Sequence, residues 1–137
     1  MLNKVDHVAI AVHDLEAAID HYRRLYGVEP SHRETIDDQL VEEALIPVGE
    51  SFIQLLMPTS PDSTVARFLE RNGEGLHHVG YEVPDLEAAL AHVKGQGQRL
   101  IDETPRHGSR SALIAFVHPK GGHGTLVELV QEGSART

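Results

Sequence analysis

Two imidazoles and two oxygen-bearing side chains occupy repeated positions in this sequence. His7 lies in Asp6-His7-Val8-Ala9, and 71 residues later His78 lies in His77-His78-Val79-Gly80. Gln54 sits within Phe52-Ile53-Gln54-Leu55-Leu56, and Glu128 within Leu126-Val127-Glu128-Leu129-Val130. A glutamate in so apolar a stretch is costly to bury unless it is paired or metal-bound. The sequence shows no matching buried cation for Glu128. Ala9 beside His7 and Gly80 beside His78 leave room against each ring. Two nitrogen and two oxygen donors suit a divalent ion of intermediate hardness. Co²⁺ comes first, then Mn²⁺ or Ni²⁺, with Zn²⁺ admissible and Mg²⁺ less well matched. With neutral imidazoles the four ligands carry one negative charge, so the centre stays net positive. An octahedron would keep two positions for a substrate with two oxygens at chelating distance.

The elements that must position these residues are themselves repeated. Asp14-Leu15-Glu16-Ala17-Ala18 returns as Asp85-Leu86-Glu87-Ala88-Ala89. A repeat this long means two copies of one supersecondary unit. In the first copy, residues 4–12 read as a buried strand. Residues 15–25 place Leu15, Ala18, Ile19, Tyr22 and Leu25 at helical spacing, with Asp14 as N-cap and Gly27 as the stop. Strands are expected over 28–35, 40–47 and 51–57. Residues 58–61 form a linker, and a short helix over 64–71, capped by Asp62 or Ser63, ends at Asn72-Gly73. The second copy predicts a strand over 76–83 and a helix over 85–95. Strands follow over 98–103, 112–117 and 125–131, with a polar loop over 104–111 and a turn over 119–124. The tail 132–137 is expected to fray. The fold class is therefore α+β. Two tandem β-α-β-β-β modules, about 3–57 and 75–131 with a connector over 58–73, build a cupped eight-stranded mixed sheet within a single domain, 1–137.

Composition narrows the function. The net charge of −9 argues against nucleic acid, which rewards basic faces, and obliges any anionic substrate to find a local basic patch. There is no cysteine, hence no disulfide framework and no thiolate metal site. No apolar run approaches the roughly 20 residues of a membrane helix. Met1-Leu2-Asn3-Lys4 enters a strand directly, with no visible signal peptide. A cytoplasmic protein, neither membrane-bound nor nucleic-acid-binding, is the expectation.

Paired β-α-β-β-β units with this ligand pattern resemble the vicinal oxygen chelate (glyoxalase) superfamily. Within it, the chain is similar to the methylmalonyl-CoA epimerase family over almost its whole length. The motifs are Asp6-His7-Val8-Ala9, Pro61-Asp62-Ser63, Asn72-Gly73-Glu74-Gly75-Leu76-His77-His78, Phe116-Val117-His118-Pro119-Lys120 and Gly124-Thr125-Leu126-Val127-Glu128-Leu129. The resemblance implies metal ligation by His7, Gln54, His78 and Glu128, a CoA thioester as substrate, and a homodimer. It also implies an isomerase that interconverts (R)- and (S)-methylmalonyl-CoA through a metal-stabilised enediolate, with a base on one face of C2 and an acid on the other.

The base is Glu42 or Glu43. They point to opposite faces of one strand, and pattern alone does not separate them. The resemblance favours Glu43, with Glu128 as the second proton-transfer group. Lys120, His118 and Arg106, with Arg110, are candidate contacts for the substrate carboxylate or the CoA phosphates. Two rival readings remain. One is a glyoxalase I-type lactoylglutathione lyase, a family that usually carries glutamate where this chain has Gln54. The other is a metal-free sequestering protein of the same superfamily, although such proteins tend to lose the ligand set.

Overall fold

The structure, a computed structural model, describes residues 1–133. The chain divides into two compact units. One runs from His7 to His77, and the other combines Met1–Asp6 with the residues from His78 onward. The boundary thus cuts the first and fifth strands, giving the chain's opening residues to the second unit. The connector groups with the first.

In the His7–His77 unit, β1 (Lys4–Ala11) leads to α1 (Leu15–Tyr26). The Asp14 carboxylate accepts from the Ala17 N–H, a cap worth about 1 kcal/mol. Gly27 takes the left-handed conformation at φ 66° and closes the helix, as expected. Then come β2 (His32–Ile36), β3 (Val41–Val48), β4 (Ser51–Pro58) and α2 (Thr64–Asn72), the last capped by Ser63. β4 lies parallel to β1 and antiparallel to β3. The helices cover opposite faces. Leu15 and Ile19 of α1 pack with Ala44, Ile46 and Leu55. Val65 and Leu69 of α2 pack with Ala9, Ala11, Val41 and Leu56. Alternation along the strands therefore puts His7, Glu43 and Gln54 on the face that α2 shares.

The other unit repeats the plan with β5 (Gly75–Glu82), α3 (Leu86–Gly95), β6 (Arg106–His107), β7 (Leu113–Val117) and β8 (Val127–Gln131). Asp85 caps α3 through the Ala88 N–H, as Asp14 caps α1. β5 is parallel to β8, and β8 antiparallel to β7. Leu86, Ala89 and Leu90 cover Ala115 and Leu129. The other face carries Ile114, Phe116 and Val130. Within the first unit the strands run in the order β2-β3-β4-β1, and within the other in the order β5-β8-β7-β6, mixed in both as the repeat led one to expect.

Two strands differ from expectation. β2 begins at His32 rather than at residue 28. The strand expected over 98–103 is reduced to a single bridge, Leu100 to Val117. The reason is Asp102. Its carboxylate accepts the Phe116 N–H, and the Ile101 and Asp102 N–H groups converge on the one Phe116 carbonyl. A side chain has taken a rung of the ladder, and pairing with β7 resumes only at Arg106. The tail is held further than expected. Gly133 is buried, and a Cβ there would run into the Ser111 carbonyl oxygen. The rest of the tail lies outside the described residues.

Candidate active site and metal ligands

The four repeated donors occupy matched positions on two ladders. On the β1–β4 pair, Ala9 faces Gln54. On the β5–β8 pair, Gly80 faces Glu128. Each small residue stands two positions after the histidine of its own strand. All four donors are buried, His7 and His78 at 3 % exposure and Gln54 and Glu128 at 5 %.

In the unit that holds β5 and β8, His78 Nε2 stands 3.9 Å from Glu128 Oε1. Phe116, the β7 partner of Glu128, meets the His78 ring edge-on at 5.2 Å. Imidazole and carboxylate therefore meet against an aromatic wall, where little water competes for them. They form a His/Glu pair suited to a divalent metal. The adjacent His77 sits elsewhere. It stacks edge-on against Phe68, and burial holds its pKa below the ordinary value for histidine.

In the unit that holds β1–β4, Gln54 Nε2 donates to Glu43 Oε1 at 2.7 Å, while Gln54 Oε1 is buried without a hydrogen-bond partner. The amide is thus split between its two ends. Its nitrogen holds a carboxylate, and its oxygen waits for a donor or a cation. Glu43 has no exposed surface. Its other oxygen lies 3.6 Å from His32 Nε2, which also bonds Glu34 at 2.7 Å. Glu34 is the cross-strand partner of Glu43. Glu42 faces the other way and bonds Arg33 at 3.3 Å. The structure thus separates the two glutamates that pattern left equivalent: only Glu43 shares a hydrogen bond with one of the four donors.

The modules differ where they would be expected to match. Glu43 stands two residues before Leu45, the partner of Gln54, and Ile114 stands two before Phe116, the partner of Glu128. One module thus buries a carboxylate where the other buries an isoleucine. At the next strand outward, Glu34 corresponds to Arg106.

The basic candidates divide as well. The Arg106 guanidinium lies over the Phe116 ring at 5.8 Å, with its Nε 3.8 Å from Asp102. Lys120 is exposed, in the turn after His118. Arg110 is not a solvated loop charge. Its side chain is 11 % exposed and bonds Asp6 Oδ2 at 2.7 Å. Sequence reasoning missed this pair. Asp6, in an apolar strand, needed a partner as much as Glu128 did, but 104 residues separate it from Arg110 and no periodicity links them. The buried cation that the sequence did not reveal therefore exists, and it belongs to Asp6.

Residues 6–116 match the model of the Glyoxalase/Bleomycin resistance protein/Dioxygenase superfamily. The chain is 40 % identical to the ethylmalonyl-CoA/methylmalonyl-CoA epimerase of Cereibacter sphaeroides, over 96 % of this chain and 99 % of that one. A variant of Streptomyces coelicolor methylmalonyl-CoA epimerase, solved in complex with 2-nitronate-propionyl-CoA, superposes with a TM-score of 0.95 at 40 % identity, covering 98 % of this chain and 97 % of that one. A methylmalonyl-CoA epimerase in complex with methylmalonyl-CoA and NH4+ gives the same TM-score and coverage at 41 % identity. A duplicated module, its paired donors and these likenesses over nearly the full length lead to one assignment: the chain belongs to the methylmalonyl-CoA epimerase family of the glyoxalase superfamily.

Proposed function

We propose that the chain is a metal-dependent epimerase that interconverts (R)- and (S)-methylmalonyl-CoA by moving the proton at C2, with His7, Gln54, His78 and Glu128 as the metal ligands. The observation that carries this reading is the divided Gln54 amide. Leaving a buried carbonyl oxygen without a partner costs about 1–3 kcal/mol. A cation at Gln54 Oε1 removes that cost, and the Gln54 nitrogen at the same time fixes a carboxylate beside the site. The donor set therefore fits a divalent ion. When bound, the ion supplies positive charge to a substrate carboxylate and thioester oxygen, which makes the C2 proton easier to remove.

The remaining work belongs to the chain. Glu43 takes or returns the proton on one face of C2, held in position through its Oε1. Glu128 serves the other face. Because Ile114 occupies the place equivalent to Glu43, the second module offers no further carboxylate there. Arg106, His118 and Lys120 bind the anionic parts of the thioester. A homodimer and a cytoplasmic setting complete the proposal. The test is exchange of the C2 proton of methylmalonyl-CoA into deuterated water, with and without a chelator. Exchange that chelation abolishes is expected. Absence of exchange by the metal-loaded protein overturns the assignment.

A further inference from the structure

The turn that carries Lys120 is built around one side chain from elsewhere. Gln98 Nε2 stands 3.0 Å from the His118 carbonyl oxygen, 3.1 Å from that of Lys120 and 3.3 Å from that of Arg99. Gln98 lies three residues past the end of α3. Its own N–H bonds Val93, and Gly97 turns the chain at φ 85°. The other end of the amide lies against the same turn. A Cβ on Gly121 would lie 3.1 Å from Gln98 Oε1, and Gly121 has φ 87°. Only glycine reaches that conformation without strain and still admits the amide.

Within the turn, the Gly122 and Gly124 N–H groups both bond the Pro119 carbonyl, and the Lys120 N–H donates to His118 Nδ1 at 3.0 Å. An imidazole that accepts at Nδ1 carries its proton on Nε2 when neutral. The turn therefore presents an Nε2–H donor and an ammonium within three residues, a pair suited to a carboxylate or phosphate.

We infer that Gln98 is a positioning residue for substrate binding: it sets the His118–Gly124 turn and so places His118 and Lys120 against the anionic part of the CoA thioester. This rests on the reading of those two residues as substrate contacts. Gln98 touches no reacting atom, so its loss acts on binding and not on proton transfer. Gln98→Glu keeps the size and removes the N–H donors, setting a carboxylate against three carbonyl oxygens. Gly121→Ala disturbs the same contact from the opposite side.

The experiment has two arms on the metal-loaded protein. Epimerisation kinetics should show KM for methylmalonyl-CoA raised about tenfold in both variants, with kcat within about twofold of wild type, the pattern of lost uniform binding. Limited trypsinolysis read by mass should show faster cleavage after Lys120 in both variants, whatever the substrate. Unchanged cleavage, or a fall in kcat at constant KM, overturns the inference. Lys120→Ala separates it from the reading beneath it. If that variant leaves KM unchanged, Lys120 is not a substrate contact and the role given to Gln98 falls with it. If it raises KM while Gln98→Glu does not, Lys120 keeps its role and Gln98 loses its own.

Discussion

A carboxylate with no exposed surface must be held by specific partners, and Glu43 has the Gln54 amide on one oxygen and His32 near the other. The expected consequence of Glu43→Gln is a fall in epimerisation on the order of 10² to 10⁴, the usual worth of a positioned proton-transfer group, with metal content unchanged. The residual reaction should be one-sided. One enantiomer should still exchange its C2 proton with deuterated water through the surviving group, and the other should not. Glu42→Gln is the control. Glu42 pairs with Arg33 on the opposite face, so turnover should stay close to wild type. Normal epimerisation by both variants would move the base elsewhere. A second prediction concerns charge. Gln54→Glu should retain the metal and slow epimerisation, because the ligands then neutralise the ion and leave less charge for the developing anion. The variant should be assayed for lactoylglutathione lyase activity as well. Unchanged turnover with no such gain would show that charge at this position does not govern the reaction.

At the scale of elements, legibility followed locality. The helices could be read because caps, apolar spacing and stops all lie within a dozen residues of one another: Asp14 with Gly27, Ser63 with Gly73. The four proposed ligands could be singled out because the repeat compares each half with the other. The choice between Glu42 and Glu43 could not, since a strand buried on both faces gives no alternation to follow. The segment 98–103 misled for a different reason. Its apolar residues suit a strand, but Asp102 substitutes its own side chain for the ladder. Gly133 offers a test at this scale. A Cβ there would run into the Ser111 backbone oxygen, which no rotamer change relieves. Gly133→Ala should therefore lower stability by about 1–3 kcal/mol, the usual cost of overpacking. Denaturant titration checks this, and an unchanged midpoint would show that the end of the chain can lift away without cost.

For the whole molecule, metal and folding should be coupled. A folded chain that binds an ion its unfolded state does not bind gains about 2.7 kcal/mol when the ion is at 100 times its dissociation constant. We expect about one divalent ion per chain and a raised melting temperature on metal loading. Both should be lost in His7→Ala and in His78→Ala, each of which removes one of the four proposed ligands. Calorimetry with metal analysis on the same samples decides the matter, and full activity after exhaustive chelation would refute it. The negative charge of the chain, −9 at pH 7, should favour cation uptake and make it weaken with salt. Among the described residues no helix is long and apolar enough to cross a membrane.

The matched positions on the two ladders also bear on descent. Gln54 faces Ala9 and Glu128 faces Gly80 at matched positions of a duplicated module. Glutamine and glutamate codons differ only in their first base, so a single nucleotide separates this donor set from a symmetric one. An ancestor with identical halves would have carried the same residue twice. It could have acquired a differently charged centre in one mutational step, with no change to the backbone that holds it. Related activities on this scaffold are then neighbours in the genetic code as well as in shape, and reconstructed ancestors of the two halves, resurrected and assayed with each class of thioester, would show in which order the charges diverged.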